Sequence, residues 1–383
     1  MTTSDTAADT AADSGFLSDL ETGIIYRNPR AHLKSVHAYF PTIVPLGGDE
    51  LLAVYVLGEA FEAANVRVHV SRSTDGGRNW TAEGPLAVEP AGEGYSEGAK
   101  ACRIGDQVVV LLQRHQRADY PDQGLTNPDT MGFVPTQFLL TTSDDGGRTF
   151  ADPWPVEPPL EGPEWELCTP VTPLSDGRWL LISSTWMDWS GALPNGHRMV
   201  AMVSTDQGRS WPDYLTVMHD PDQPVIFWES KIVEMPDGRL VAVAWVYDQG
   251  SESDRPNQFA TSDDGGASWS SPASTGMTGQ TMTPLVVGPD RLIVLYRRMD
   301  RPGLWALDVR LTGDGWNNVA EQPMWGFDAQ ALTTRQESMV QNFRELKFGA
   351  PSLVELDDGS IYVAFWCYEN AVSVIRWFRF RVS

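Results

Sequence analysis

Three glutamates carry the clearest chemical potential in this chain: Glu97 in SEGAK, Glu166 in GPEWELC and Glu229 in FWESK. Cleavage of a glycosidic bond needs one carboxyl to protonate the leaving oxygen and a second to act as nucleophile or to activate water. Carboxyls crowded into one space drive their pKa values apart, which keeps one of them protonated near neutrality. His37 and Tyr39 are candidate proton acceptors, and Arg114, His115, Gln280, Arg297, Lys347 and Glu369 are candidate polar contacts to a substrate. Trp186, Trp228 and Tyr247 are candidate sugar platforms. Each has a plainer reading. The glutamates have Lys100, Lys231 and Lys347 as ion-pair partners, Glu97 is placed to cap a turn, and His37 stands at a strand start. The tryptophans alternate with apolar neighbours, as core residues do.

These residues act together only if the chain brings them together, and the sequence carries a repeat that does so. STDGGRNW (Ser73 to Trp80) returns as SDDGGRTF from Ser143, STDQGRSW from Ser204 and SDDGGASW from Ser262. All four obey S-x-D-x-G-x-x-[WF] at near-regular spacing, which is the mark of a repeat architecture. A second motif runs in phase: an apolar strand, a turn with Asp or Gly, and another strand. It begins at Pro41, Ala99, Pro170, Lys231, Pro284 and Pro351. Short β-branched runs bounded by turn formers read as antiparallel strands. Six such hairpins, four of them followed by a third strand and an octet, predict an all-β, six-bladed β-propeller of four-stranded antiparallel blades. SVIRWFRFRVS is expected to be the third strand of the last blade, and GIIYR the fourth, closing the ring. Within each octet Asp accepts turn amides, Gly takes backbone angles closed to other residues, and the aromatic ring tucks beneath. The octets are therefore expected to fasten blades rather than to bind ligand.

The octets resemble the Asp-box (BNR) turns of the sialidase superfamily, over nearly the whole chain from about residue 20. The resemblance implies a propeller whose inner-strand starts and second-strand ends face a central funnel. It also implies an arginine in an Arg-Ile-Pro motif on the first inner strand, since a planar guanidinium matches a substrate carboxylate in bidentate fashion. Aligned on the repeats, Tyr39 stands at that position, and no arginine occupies the matching position of any blade. The Arg27 of Tyr26-Arg27-Asn28-Pro29 lies upstream of the strand frame. A sialidase in the strict sense is not expected.

Composition narrows the rest. A net charge of −23 spread along 383 residues repels phosphate backbones, so no nucleic-acid partner is expected. No apolar run approaches a membrane span. Cys102, Cys168 and Cys367 lack metal-type spacing and read as buried free thiols. No phosphate-cradling loop and no zinc motif is present, so neither cofactor nor metal is expected. MTTSDTAADTAADSG has no basic n-region and no apolar h-region, so residues 1–15 read as a disordered tail. Residues 16–383 read as one propeller domain of a cytoplasmic protein. Nothing in the sequence fixes an oligomeric state.

The functional expectation is a glycoside hydrolase-like enzyme acting on a terminal bond of a carbohydrate substrate, with Glu166 and Glu229 as the first carboxyl pair. One alternative is a uronate lyase using His37 or Tyr39 as base. Another is a glycan-binding propeller without catalysis.

Overall fold

The computed structural model describes residues 15–383 apart from 89–90, 162–163, 167–168, 222–224, 299, 302, 314 and 328–345. The expected tail, Gly15 excepted, and Cys168 lie outside the described residues. The described elements are strands, arranged in six antiparallel sheets around one axis.

Blade 1 runs outward through His37–Gly47, Glu50–Gly58, Arg67–Ser73 and Thr81–Pro85. Blade 2 begins with Tyr95–Ile104 and blade 4 with Val225–Glu234. Blade 5 begins with Gly279–Gly288 and blade 6 with Phe348–Glu355. In blade 3 the inner strand is described as two pieces, Glu164–Glu166 and Thr172–Pro173, both paired to Trp179–Trp186. Leu17–Tyr26 pairs with Val372–Val382 as the outer strand of blade 6, so the N-terminal strand closes the ring on the C-terminal one.

The blades hold together through apolar clusters that span neighbours. One joins Val54 and Val56 of blade 1 to Ala99 of blade 2 and Trp366 of blade 6. The octets add a polar fastening at the rim, between the third and fourth strands of blades 1 to 4. In the first, the Ser73 hydroxyl donates to Asp75 Oδ1 (2.8 Å) and accepts from the Gly77 amide (2.9 Å). The same Asp75 oxygen accepts from the amides of Arg78 and Asn79. Gly77 has φ 85°, and a Cβ there would meet the Tyr362 ring of blade 6 at 2.3 Å. Gly147, φ 80°, sits likewise against Leu52 of blade 1. Arginines of the preceding blade complete the joint: Arg379 donates to Gly76 O, Arg72 to Gly146 O and Arg178 to Gly265 O. Each octet is therefore a turn whose bare glycine and carbonyl accept the neighbouring blade.

The inner strands carry a feature that the sequence frame missed. Blades 1, 4, 5 and 6 each have a bulge, and the residue in it takes a positive φ: Phe40 at 52°, Glu229 at 48°, Thr281 at 57° and Ala350 at 48°. A bulge adds one residue to one strand and re-aims the side chains beyond it. Equivalence therefore runs Phe40, Glu229, Thr281, Ala350. The sequence frame had matched Glu229 to Tyr39, Met282 and Gly349. Blades 4 and 6 have turns of equal length, Glu234 to Leu240 and Glu355 to Ile361. The frame slipped there by matching Asp237 to the first aspartate of Asp357-Asp358 instead of the second, and a one-residue slip moves a side chain to the opposite face. The corrected series still contains no arginine.

Candidate active site

A cavity of about 200 Å³ lies at the end of the ring where the inner strands start and the second strands finish. Glu97, Glu166 and Glu229 border it together with His115 and Arg297, so five of the sequence candidates meet in one space. Lys100 and Lys231 border it too, both buried, and they also border a larger cavity at the opposite end of the axial channel. Residues such as Lys231 alternate faces with their neighbours, and this periodicity was the signal available for finding them.

The carboxylates are tied into the backbone of adjoining blades. Glu166 Oε2 accepts from the Glu229 amide at 2.7 Å, and Glu229 Oε2 accepts from the Thr281 amide. Left-handed backbone costs a non-glycine residue stability, so these bonds hold two otherwise unfavourable bulges in place. Each glutamate thereby carries a structural task and still borders the cavity. Glu97, 7% exposed, is more deeply committed: it accepts from the Ala91 amide (2.8 Å) and the Val68 amide (3.3 Å), with Arg114 Nε at 3.7 Å. The Lys231 ammonium donates to Glu229 O at 2.9 Å.

Arg297 is 3% exposed, and its guanidinium donates to Gln280 Oε1 and to Phe348 O. Burial works against its charge, while the charges of Glu229 and Asp254 favour it. Among the described residues it is the one arginine on the cavity wall, so these residues supply no cluster of guanidinium groups for a substrate carboxylate. His115 pairs with the Thr136 hydroxyl at 2.9 Å, and burial, assisted by the Arg117 charge, lowers its pKa to about 4. It is a neutral imidazole near pH 7.

Several candidates lie elsewhere. Tyr39 is fully buried, with its hydroxyl 2.8 Å from that of Tyr368, and burial pushes its phenol far up. His37 accepts from the Ser373 amide through Nδ1 at 3.0 Å. Both belong to the seam between blades 6 and 1, off the cavity, so the proton-acceptor reading of the pair is corrected to seam packing. Trp186, Trp228 and Tyr247 form a closed stack with Trp245, at ring separations of 4.9, 4.6 and 5.7 Å. Their sugar-platform reading is corrected to core packing between blades 3 and 4. Gln280 serves Arg297 from behind the wall. Lys347 lies over the Tyr368 ring, and Glu369 pairs with Arg27 (2.7 Å) and Arg376 (2.5 Å). Arg27 thus has a structural partner at the closing seam.

Of the cavity's aromatic wall, Trp366 was legible as a second-strand end facing the funnel, whereas Phe40 and Phe61 were missed. Phe40, Phe61 and Trp366 meet there, with ring centroids 5.2 to 6.3 Å apart. Leu125 and Phe133 come from the long connection 117–135 of blade 2. That connection is held by Leu125 N to Glu62 Oε2 (2.9 Å) and Phe133 N to Met187 O (3.0 Å), so it bridges the loops of blades 1 and 3. Its length, against short links in the other blades, was legible in the sequence.

No family model matches the chain, and no curated protein matches it in sequence. Solved structures do match. A protein of unknown function from Dyadobacter fermentans superposes with a TM-score of 0.72 at 20% identity, over 95% of this chain and 98% of that one. The NanB sialidase of Streptococcus pneumoniae gives 0.64 at 12%, over 99% and 72%. The intramolecular trans-sialidase of Ruminococcus gnavus gives 0.62 at 14%, over 93% and 96%. At these identities the likeness establishes the fold, which is the six-bladed propeller of the sialidases, and leaves the reaction to the site.

Proposed function

We propose that this chain is a glycoside hydrolase that releases a terminal sugar, with Glu166 and Glu229 as its working carboxyls. The observation that carries the reading is the convergence of Glu97, Glu166 and Glu229 from successive blades on one cavity. One carboxyl protonates the leaving oxygen and the other attacks the anomeric carbon or activates water. Glu97, held by two amides and beside Arg114, is the least free of the three to exchange a proton and is assigned to the wall. The substrate is a carbohydrate, and the cavity's size suits one ring at a time. A lyase drawing on His37 or Tyr39 is disfavoured, because neither borders the cavity.

A second reading, a glycan-binding propeller without catalysis, has its own support in the amide bonds that Glu166 and Glu229 accept. The two separate cleanly by experiment. A glycoside panel is assayed for new reducing ends and for ultraviolet-absorbing unsaturated products, using wild type, Glu166→Gln and Glu229→Gln. Glutamine keeps an acceptor oxygen for the amide while removing the ionisable group. The hydrolase reading expects reducing ends without ultraviolet absorbance, and a loss of at least a hundredfold in each variant with an unchanged melting temperature. Near-normal rates in both variants would end the carboxyl-pair assignment.

A further inference from the structure

The cavity has two unlike walls. Blades 2 to 5 present Glu97, Lys100, Glu166, Glu229, Lys231 and Arg297. Blades 1 and 6 present Phe40, Val56, Phe61, Val66 and Trp366. On that second side the Glu62 carboxylate is engaged with the Leu125 amide. Two polar groups of the wall, each buried, have no hydrogen-bond partner among the described residues: the indole N–H of Trp366 (1% exposed) and the hydroxyl of Thr281 (3% exposed). Both atoms are themselves closed off from the cavity, so the aromatic wall offers a sugar hydroxyl no bond from them.

Resting on the reading of this cavity as a sugar site, we infer that the preferred ring is a 6-deoxyhexose, its methyl group seated against Phe40, Phe61 and Trp366. The cavity is smaller than those that enclose drug-sized ligands, so the apolar wall serves the ring itself rather than a bulky aglycone. A hydroxymethyl pressed on this wall surrenders its bonds to water and finds no replacement, whereas a methyl surrenders none and gains apolar contact.

The test is a binding titration by calorimetry, using paired methyl glycosides that differ by one oxygen: fucoside against galactoside and rhamnoside against mannoside. Glu229→Gln is used in parallel so that turnover does not obscure binding. The expectation is that the 6-deoxy member of at least one pair binds about tenfold tighter or better, as the loss of one buried bond implies. Phe61→Ser is expected to erase that preference, and Phe61→Leu to retain it, which guards against a variant that fails to fold. Equal or tighter binding of the parent hexose in both pairs overturns the inference, as does the absence of any binding or a preference that survives Phe61→Ser. Binding with the deoxy preference but without hydrolysis leaves the inference standing and overturns the hydrolase reading instead. Hydrolysis without the preference does the reverse.

Discussion

At the residue scale, Glu166 and Glu229 join chemistry to architecture, because each carboxylate reaches across a blade boundary to an amide in or beside a bulge. This double use yields a stability prediction independent of turnover. Glu166→Ala leaves the Glu229 amide without its acceptor and is expected to cost about 1–3 kcal/mol in urea unfolding, whereas Glu166→Gln costs much less. Equal losses in the two variants would show that the amide bond contributes little. Tyr39 offers the complementary case. Tyr39→Phe removes its bond to Tyr368 and is expected to cost about 0.5–1.5 kcal/mol, with turnover unchanged because the phenol lies off the cavity. The three glutamates were legible in the sequence as candidates. Their commitments to amides were not, since a carboxylate's partner is decided by the register of the neighbouring blade.

At the element scale the octet is the unit that matters. Its glycine is bare because the adjacent blade occupies the place of a side chain. Gly147→Ala would set a Cβ 2.6 Å from Leu52 Cδ2 on a backbone of φ 80°, so thermal unfolding should occur several degrees lower. The octet aspartates also set the acid stability. Hydrogen bonds from Ser, Thr or Asn side chains and turn amides lower Asp75, Asp206 and Asp264 to about 2, and Asp145 further. Their folded pKa values lie below the unfolded value, so their contribution is complete above about pH 4 and is lost as pH falls toward about 2. His115 acts earlier. Its folded pKa of about 4 lies below the ordinary 6.5, so unfolding gains a proton and stability falls as pH drops from about 6.5 to about 4. A melting-temperature profile should therefore decline in two stages, and His115→Gln should diminish the upper one, to which His37, His69 and His197, also lowered by burial, contribute. An undiminished upper stage in that variant would reassign it to another group.

At the scale of the whole molecule, the ring is closed by pairing Leu17–Tyr26 with Val372–Val382. The seam is reinforced by Arg27 on Glu369 and by Tyr39 on Tyr368. Removing residues 1–26 would leave an unpaired strand edge and uncover the cluster containing Ile25 and Trp377. The truncated chain is expected to lose its single cooperative transition and to associate, as sedimentation and calorimetry would show; a sharp, unshifted transition would mean that the seam is dispensable. The same closure brings blade 6, with Trp366, beside blade 1, with Phe40 and Phe61, and so builds the aromatic wall from opposite ends of the chain.

The repeat spacing, the turn chemistry and the alternation of apolar residues are local properties, and by themselves they determined six four-stranded blades, the octets as fasteners and the pool of glutamates at the inner strands. They also revealed the missing arginine, an absence that survived the change of register. The bulges depend on contacts between blades, and a bulge shifts every later side chain by one position. Only the tertiary structure could therefore decide that Glu229 faces the cavity with Glu166, that Tyr39 and the tryptophan stack do not, and that an aromatic wall stands opposite the charges.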